Sequence, residues 1–133
     1  MPGDDGIVDH SVFDQLLDMD DDDSREFSEG IAKDYMQQAG QTLGELDEAV
    51  SKRDFEALGK LGHFLKGSSA AFGFIRVRET CEHIQNYGRK VDKDGKPLSM
   101  SDDELVKKLQ ELVVQARTYN TEAETWLKQF YKL

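Results

Sequence analysis

His63 is an imidazole on the polar side of an amphipathic helix. At about 100° per residue, Leu58, Leu61, Leu65, Ser69 and Phe72 share one apolar stripe. By the same geometry His63 lies about 160° away from Leu65, so it faces solvent. The residues around it are Gly59, Lys60, Lys66, Gly67 and Ala70. That face is sparse, because each glycine inside a helix costs roughly 1 kcal/mol relative to alanine. Gly59 and Gly67 lie away from the stripe, where packing on the core does not account for them, whereas Gly62, nearer the stripe, suits a packing role. A ring nitrogen offers a lone pair, the small neighbours leave room for a second molecule, and the closest long side chains are cations. This combination suits a histidine that meets an anion. The plain alternative is a solvated histidine beside glycines that serve helix packing.

The next segment supplies two polar groups that can reach the ring. Val77, Cys81, Ile84, Gly88 and Val91 recur at helical spacing and define a buried face. Gln85 and Arg89 lie one turn apart beside it. If this helix packs antiparallel to the His63 helix across a turn at Gly73, Gln85 can bond one ring nitrogen, fixing the ring and leaving the other nitrogen free. Arg89 then adds a fixed positive charge near an incoming phosphoryl oxygen. A capped amide and a surface salt bridge satisfy the same spacing.

The elements that must position these groups are helical. The 133 residues contain two prolines and long Leu/Ala/Glu/Lys/Gln-rich stretches, which predicts one all-α domain spanning 1–133. Helices are expected over 11–18, 25–52, 55–72 and 75–91. The first carries Val12, Phe13, Leu16 and Leu17, and the second carries Phe27, Ile31, Tyr35, Leu43, Leu46 and Val50. A fifth is introduced by Pro97 and the cap-like run Ser101-Asp102-Asp103-Glu104, with a stripe from Leu105 to Phe130. Helices two to five fit an antiparallel up-down-up-down four-helix bundle, with the short first helix across one end. Residues 1–10 are expected to be a flexible N-terminal segment.

Charge and composition exclude several functions. The net charge is −10, yet residues 1–23 hold nine aspartates and no Lys or Arg, which leaves 18 acids against 17 bases in the remaining 110 residues. A near-neutral body lacks the basic stripe of a nucleic-acid binder. Lys60, Lys66, Arg76, Arg78 and Arg89 are spread over the two central helices and suit an acidic partner site. The Asp20–Asp23 run lacks the interrupted pattern of a calcium loop; its last residues, with Ser24, are expected to cap the second helix. His10 and His83 lack companions at metal-ligand spacing. Cys81 falls on an apolar stripe and reads as an inert buried thiol. There is no nucleotide-binding glycine loop, no membrane span and no signal peptide. The expectation is therefore a soluble protein of the cytoplasm, with the nucleus also open, that binds no cofactor and has no ATP-dependent kinase activity of its own.

The run from His63 to Gly73, together with Cys81-Glu82-His83-Ile84-Gln85-Asn86-Tyr87-Gly88-Arg89-Lys90, closely resembles the histidine-containing phosphotransfer (HPt) proteins of fungal phosphorelays. Met19 to Ser24, followed by Phe27 to Gly30, is similar to the same family's link between its first two helices. The likeness covers Val12 to Lys90. It implies that His63 is the phosphoacceptor, Lys66 a helper cation, Gly67 a gap for the partner, Gln85 the orienting amide and Arg89 the supporting guanidinium. It also implies docking through Val12, Leu16, Ile31, Phe64, Gly67 and Ser68, although Val12, Leu16 and Ile31 suit the core equally well. The implied partners are the receiver domains of a hybrid histidine kinase and of downstream response regulators, which would supply the magnesium. A monomer is expected. The loop around 93–97 is short, so any function that longer relatives place there is open. The rival readings are the dimerising phosphoacceptor bundle of a histidine kinase and a helical adaptor with no phosphotransfer.

Overall fold

The computed structural model describes residues 6–133. It contains five helices: α1 (His10–Leu17), α2 (Glu26–Ser51), α3 (Phe55–Phe72), α4 (Ile75–Gly88) and α5 (Asp102–Tyr131). Contacts run from α2 to α3, α3 to α4, α4 to α5 and α5 back to α2, closing the four-helix bundle, while α1 packs on α3. The core follows the sequence stripes. Leu46 of α2, Leu58 and Leu65 of α3, Ile84 of α4, and Leu109 and Leu127 of α5 are fully buried. Tyr35 of α2 reaches across this core to donate a 2.7 Å hydrogen bond to Asn120 Oδ1 of α5. Its burial raises the phenol above its ordinary pKa.

Local chemistry sets the helix ends. Asp54 accepts from the Ala57 amide at 3.1 Å to open α3. Gly73, at φ +78°, closes it, with the Phe74 amide reaching back to the Ser69 carbonyl at 3.0 Å. Ser101 and Glu104 form a reciprocal capping box that opens α5, each bond 3.2 Å long.

Helix α4 stops at Gly88, short of the expected end at Val91. Lys90 adopts φ +59° and turns the chain. Asp92 Oδ1 then gathers the amides of Asp94 and Lys96 at 2.8 and 2.9 Å. Val91 pairs with Pro97 in an isolated bridge.

Three further expectations are corrected. The cap of α2 comes from the first aspartate of the acidic run, not from its last residues with Ser24. Asp20 accepts from the Ser28 amide at 2.8 Å and from its hydroxyl at 2.7 Å, and Tyr131 donates to that same hydroxyl oxygen at 2.7 Å. This network holds Ser28 fully buried, so Phe27, expected on the apolar face, is turned out to 53% exposure. The N-terminal segment is packed from Val8 onward, because Val8 is buried and the Asp9 amide donates to the Gly73 carbonyl at 2.7 Å. A Cβ on Gly73 would stand 2.6 Å from the Asp9 carbonyl oxygen, so glycine is required for that approach. Residues 1–5 of the expected flexible segment lie outside the described residues.

Cys81 has no exposed surface, and burial pushes its thiol pKa up to about 12. We expect no alkylation of the folded protein by iodoacetamide near pH 8 and one modified thiol per chain in denaturant, as read by mass spectrometry. Fast labelling of the folded chain would contradict the packing of α4.

Candidate functional site

The α3–α4 hairpin brings His63 and Gln85 together. His63 is exposed, whereas Gln85 is 7% exposed, and their Nδ1 and Oε1 atoms are 3.4 Å apart. An amide oxygen only accepts, so a hydrogen bond across this pair requires the Nδ1–H tautomer, the form that leaves the lone pair on Nε2. A buried carboxamide stands at fixed height beside the helix, and the imidazole leans on it.

Arg89 follows one turn later on α4 and is exposed. Among the described residues it has no carboxylate within ion-pair distance. Lys66, in contrast, is engaged, with its Nζ lying 3.8 Å from Glu82 Oε1 of α4. Both partners keep solvent contact, so the pair is weak and readily exchanged. Glu82 escaped the sequence reading. Its signal was its place one turn before Gln85 and Asn86 on the outward side of α4. Lys60 pairs with Glu56 at 3.1 Å along α3.

The residues expected to receive a partner fall into four groups. Phe64 is 49% exposed, and a Cβ on Gly67 would meet nothing within 4 Å, so this part of α3 is open. Ser68 is half-buried, and its hydroxyl donates to the Phe64 carbonyl at 3.2 Å. Ser68 shares a shallow groove of about 260 Å³ with Ile31, Asp34, Gln38 and Ala71, between α2 and α3. Val12 stands apart, in a recess with Asp9, Ala70 and Arg78 at the α3–α4 turn. Leu16 is 9% exposed and belongs to the core. A helix of eight residues has one apolar face to bury, and α1 turns Phe13 and Leu16 inward together. Leu16 is therefore withdrawn from the docking set.

Gly59 is also corrected. It is buried, and its missing side chain faces α4: a Cβ there would stand 3.3 Å from Arg89 Cγ. The helical wheel of α3 alone placed it in solvent because α4 widens the covered face beyond the leucine stripe. Among the described residues no three His, Cys, Asp or Glu side chains converge as a metal site. No described helix is long and apolar enough to cross a membrane.

A four-helix bundle that holds one exposed imidazole against a buried amide, with an exposed guanidinium one turn along from that amide, defines a histidine-presenting helical module. Comparison with known proteins specifies it further. Residues 30–119 match the Hpt domain model, and the chain belongs to that family. The multistep phosphorelay regulator 1 of Schizosaccharomyces pombe is 41% identical over 126 residues, covering 95% of this chain and 43% of the relative. The phosphorelay intermediate protein YPD1 of Candida albicans is 40% identical over 92 residues, covering 69% and 50%. The chain thus spans about half the length of these curated relatives. Saccharomyces cerevisiae Ypd1, crystallised with the receiver domain of its downstream response regulator Ssk1, superposes with a TM-score of 0.83 at 28% identity, covering 95% of both chains.

Proposed function

We propose that this chain is a phosphorelay intermediate. His63 accepts a phosphoryl group from the aspartyl phosphate of one receiver domain and passes it to the aspartate of another. The observation that carries this reading is the 3.4 Å pairing of His63 Nδ1 with the buried Gln85 amide, which leaves Nε2 as the nucleophile. The Nε2 lone pair forms the new bond to phosphorus in line while the bond from phosphorus to the aspartyl oxygen breaks, returning a carboxylate to the receiver. The resulting N-phosphorylated ring keeps its Nδ1 proton on Gln85. Charge on the equatorial oxygens is met by Arg89, by Lys66 on leaving Glu82, and by magnesium that the receiver brings.

The crystallised pairing of the yeast relative with a receiver domain supports this choice of partner. Here the receivers are those of a hybrid histidine kinase and of downstream response regulators, and they meet a monomeric single domain in the cytoplasm or the nucleus. They would dock over Phe64, Gly67, Ser68 and Ile31, with Val12 at the margin. Incubating the chain with a receiver phosphorylated on its aspartate should move acid-labile phosphate onto the chain. Retention of all label on the receiver under conditions where the two proteins bind would overturn the reading.

Chemistry and docking should separate by mutation. Gln85→Ala and Arg89→Ala each remove a bond or charge to an ionic group, typically about 1.5–3 kcal/mol. We expect transfer slowed roughly tenfold or more with receiver affinity little changed. Phe64→Ala and Ile31→Ala remove apolar contact and should weaken binding by about 1–2 kcal/mol, with single-turnover rates at saturation preserved. Stopped-flow rates and binding isotherms on the four variants check this, and equal affinity losses in both pairs would place Gln85 and Arg89 in the docking surface instead.

A further inference from the structure

We propose that Gly59, Gly62 and Gly88 are positioning residues for the histidine site. Gly62 and Gly88 hold α3 and α4 close enough for Gln85 to reach His63, and Gly59 clears the track along which Arg89 lies. The inference rests on the phosphotransfer reading and adds to it the element that sets the site's dimensions.

Packed helices usually keep their axes 8–10 Å apart, according to the side chains between them. Here the separating side chains are missing on both helices at the level of the site. A Cβ on Gly88 would stand 2.6 Å from the Gly59 nitrogen and 3.0 Å from both the Gly59 Cα and the Phe55 carbonyl oxygen. A Cβ on Gly62 would stand 2.9 Å from the Gln85 nitrogen and 3.0 Å from the Cys81 carbonyl oxygen. All of these are backbone atoms, which cannot swing aside as a flexible side chain would, so any substituent must push the helices apart.

The His63–Gln85 contact has no slack to absorb such a shift. At 3.4 Å it lies at the long end of hydrogen-bond distances, and further separation by a few tenths of an ångström removes it. Gly62 faces the backbone of Gln85 itself, so the strain falls on the residue whose amide orients the ring. Gly59 differs in kind. Its closest neighbour is Arg89 Cγ at 3.3 Å, with the Gln85 carbonyl oxygen at 3.8 Å. An alanine there displaces a flexible stem and leaves the helix spacing alone. Gly59 lies one turn before His63 on α3, so the stem of Arg89 passes α3 one turn from the imidazole. The three glycines thus govern two different groups, Gln85 through helix separation and Arg89 through side-chain clearance.

The test reads the ring directly. Nitrogen-15 NMR at alkaline pH reports which nitrogen of a neutral histidine carries the proton. In the wild-type chain His63 should favour Nδ1–H, the form Gln85 requires. Gly62→Ala should return the ring to the Nε2–H form that a free imidazole prefers, and should slow transfer from a phosphorylated receiver roughly tenfold or more, the effect expected of Gln85→Ala. Ile84→Val, a trimmed core residue on α4, destabilises the same helix without separating the pair and should keep the Nδ1–H form. Gly59→Ala should also keep it, while slowing transfer non-additively with Arg89→Ala in a double-mutant cycle.

The proposal fails if folded Gly62→Ala keeps the wild-type tautomer and rate, if Ile84→Val shifts the tautomer as Gly62→Ala does, or if the Gly59 and Arg89 effects add. Should Gly62→Ala unfold, Gly88→Ala, read by the same tautomer and rate, decides the Gln85 half of the proposal, and the Gly59→Ala cycle decides the Arg89 half. Failure of the phosphotransfer reading has a separate signature: a wild-type chain that takes no label, whatever the tautomers show.

Discussion

His63→Gln is expected to abolish acid-labile labelling by a phosphorylated receiver while leaving the thermal transition nearly unchanged. The imidazole is exposed and outside the core, and surface substitutions of this kind usually alter stability by no more than about 0.5 kcal/mol. The glutamine amide has no lone pair on nitrogen available to attack phosphorus, so no slower route remains through this position. His10 and His83 are the other two histidines. The ring beside the buried Gln85 amide is that of His63. Radiolabel from the receiver, followed by acid and base treatment, checks the result, with circular dichroism confirming the helices. Acid-labile phosphate persisting on the variant would move the phosphoacceptor elsewhere.

Gly67→Gln carries the second large effect. Gly67 is exposed and lies one turn beyond His63, with open space where a side chain would project. Glutamine is the better helix former by as much as about 1 kcal/mol, so the variant should be as stable as the wild type or more so. Its side chain would fill the clearance through which a receiver approaches the ring. We expect receiver affinity to fall at least about tenfold, roughly 1.4 kcal/mol, with transfer lost in proportion at subsaturating receiver. Wild-type affinity and rate would place the docking face away from α3. The opposed signs, a steadier helix with a poorer partner, separate this effect from simple unfolding.

Much of this site was legible from spacing. The stripe Leu58, Leu65, Ser69 and Phe72 fixes the rotation of α3, and with it the outward place of His63 and the bounds Phe55–Phe72. Gln85 was legible because it stands one turn before Arg89, beside the buried face of the next helix. Other features depend on contacts that no single helix announces. The role of Gly59 appears only when α4 is laid against α3. The cap of α2 comes from Asp20, eight residues before the Ser28 amide it accepts from, beyond the reach of local capping rules. The same network exposes Phe27, which periodicity alone assigns to the core. Leu16 had the spacing of either a core or a docking residue, and the inward turn of α1 decided between them.

The Gly73 turn has a consequence for how the site comes into being. His63 and Gln85 are 22 residues apart, on the two helices that share the most extensive contact of the bundle. Closing so short a span costs little chain entropy, and such local pairings form rapidly. The contact that carries the chemistry is therefore among the earliest the folding chain can make, ahead of those that bring α5 back onto α2. In the finished protein, hydrogen exchange should register α3 and α4 as one cooperative unit, so that a passing excursion of the terminal helix is felt last at the imidazole.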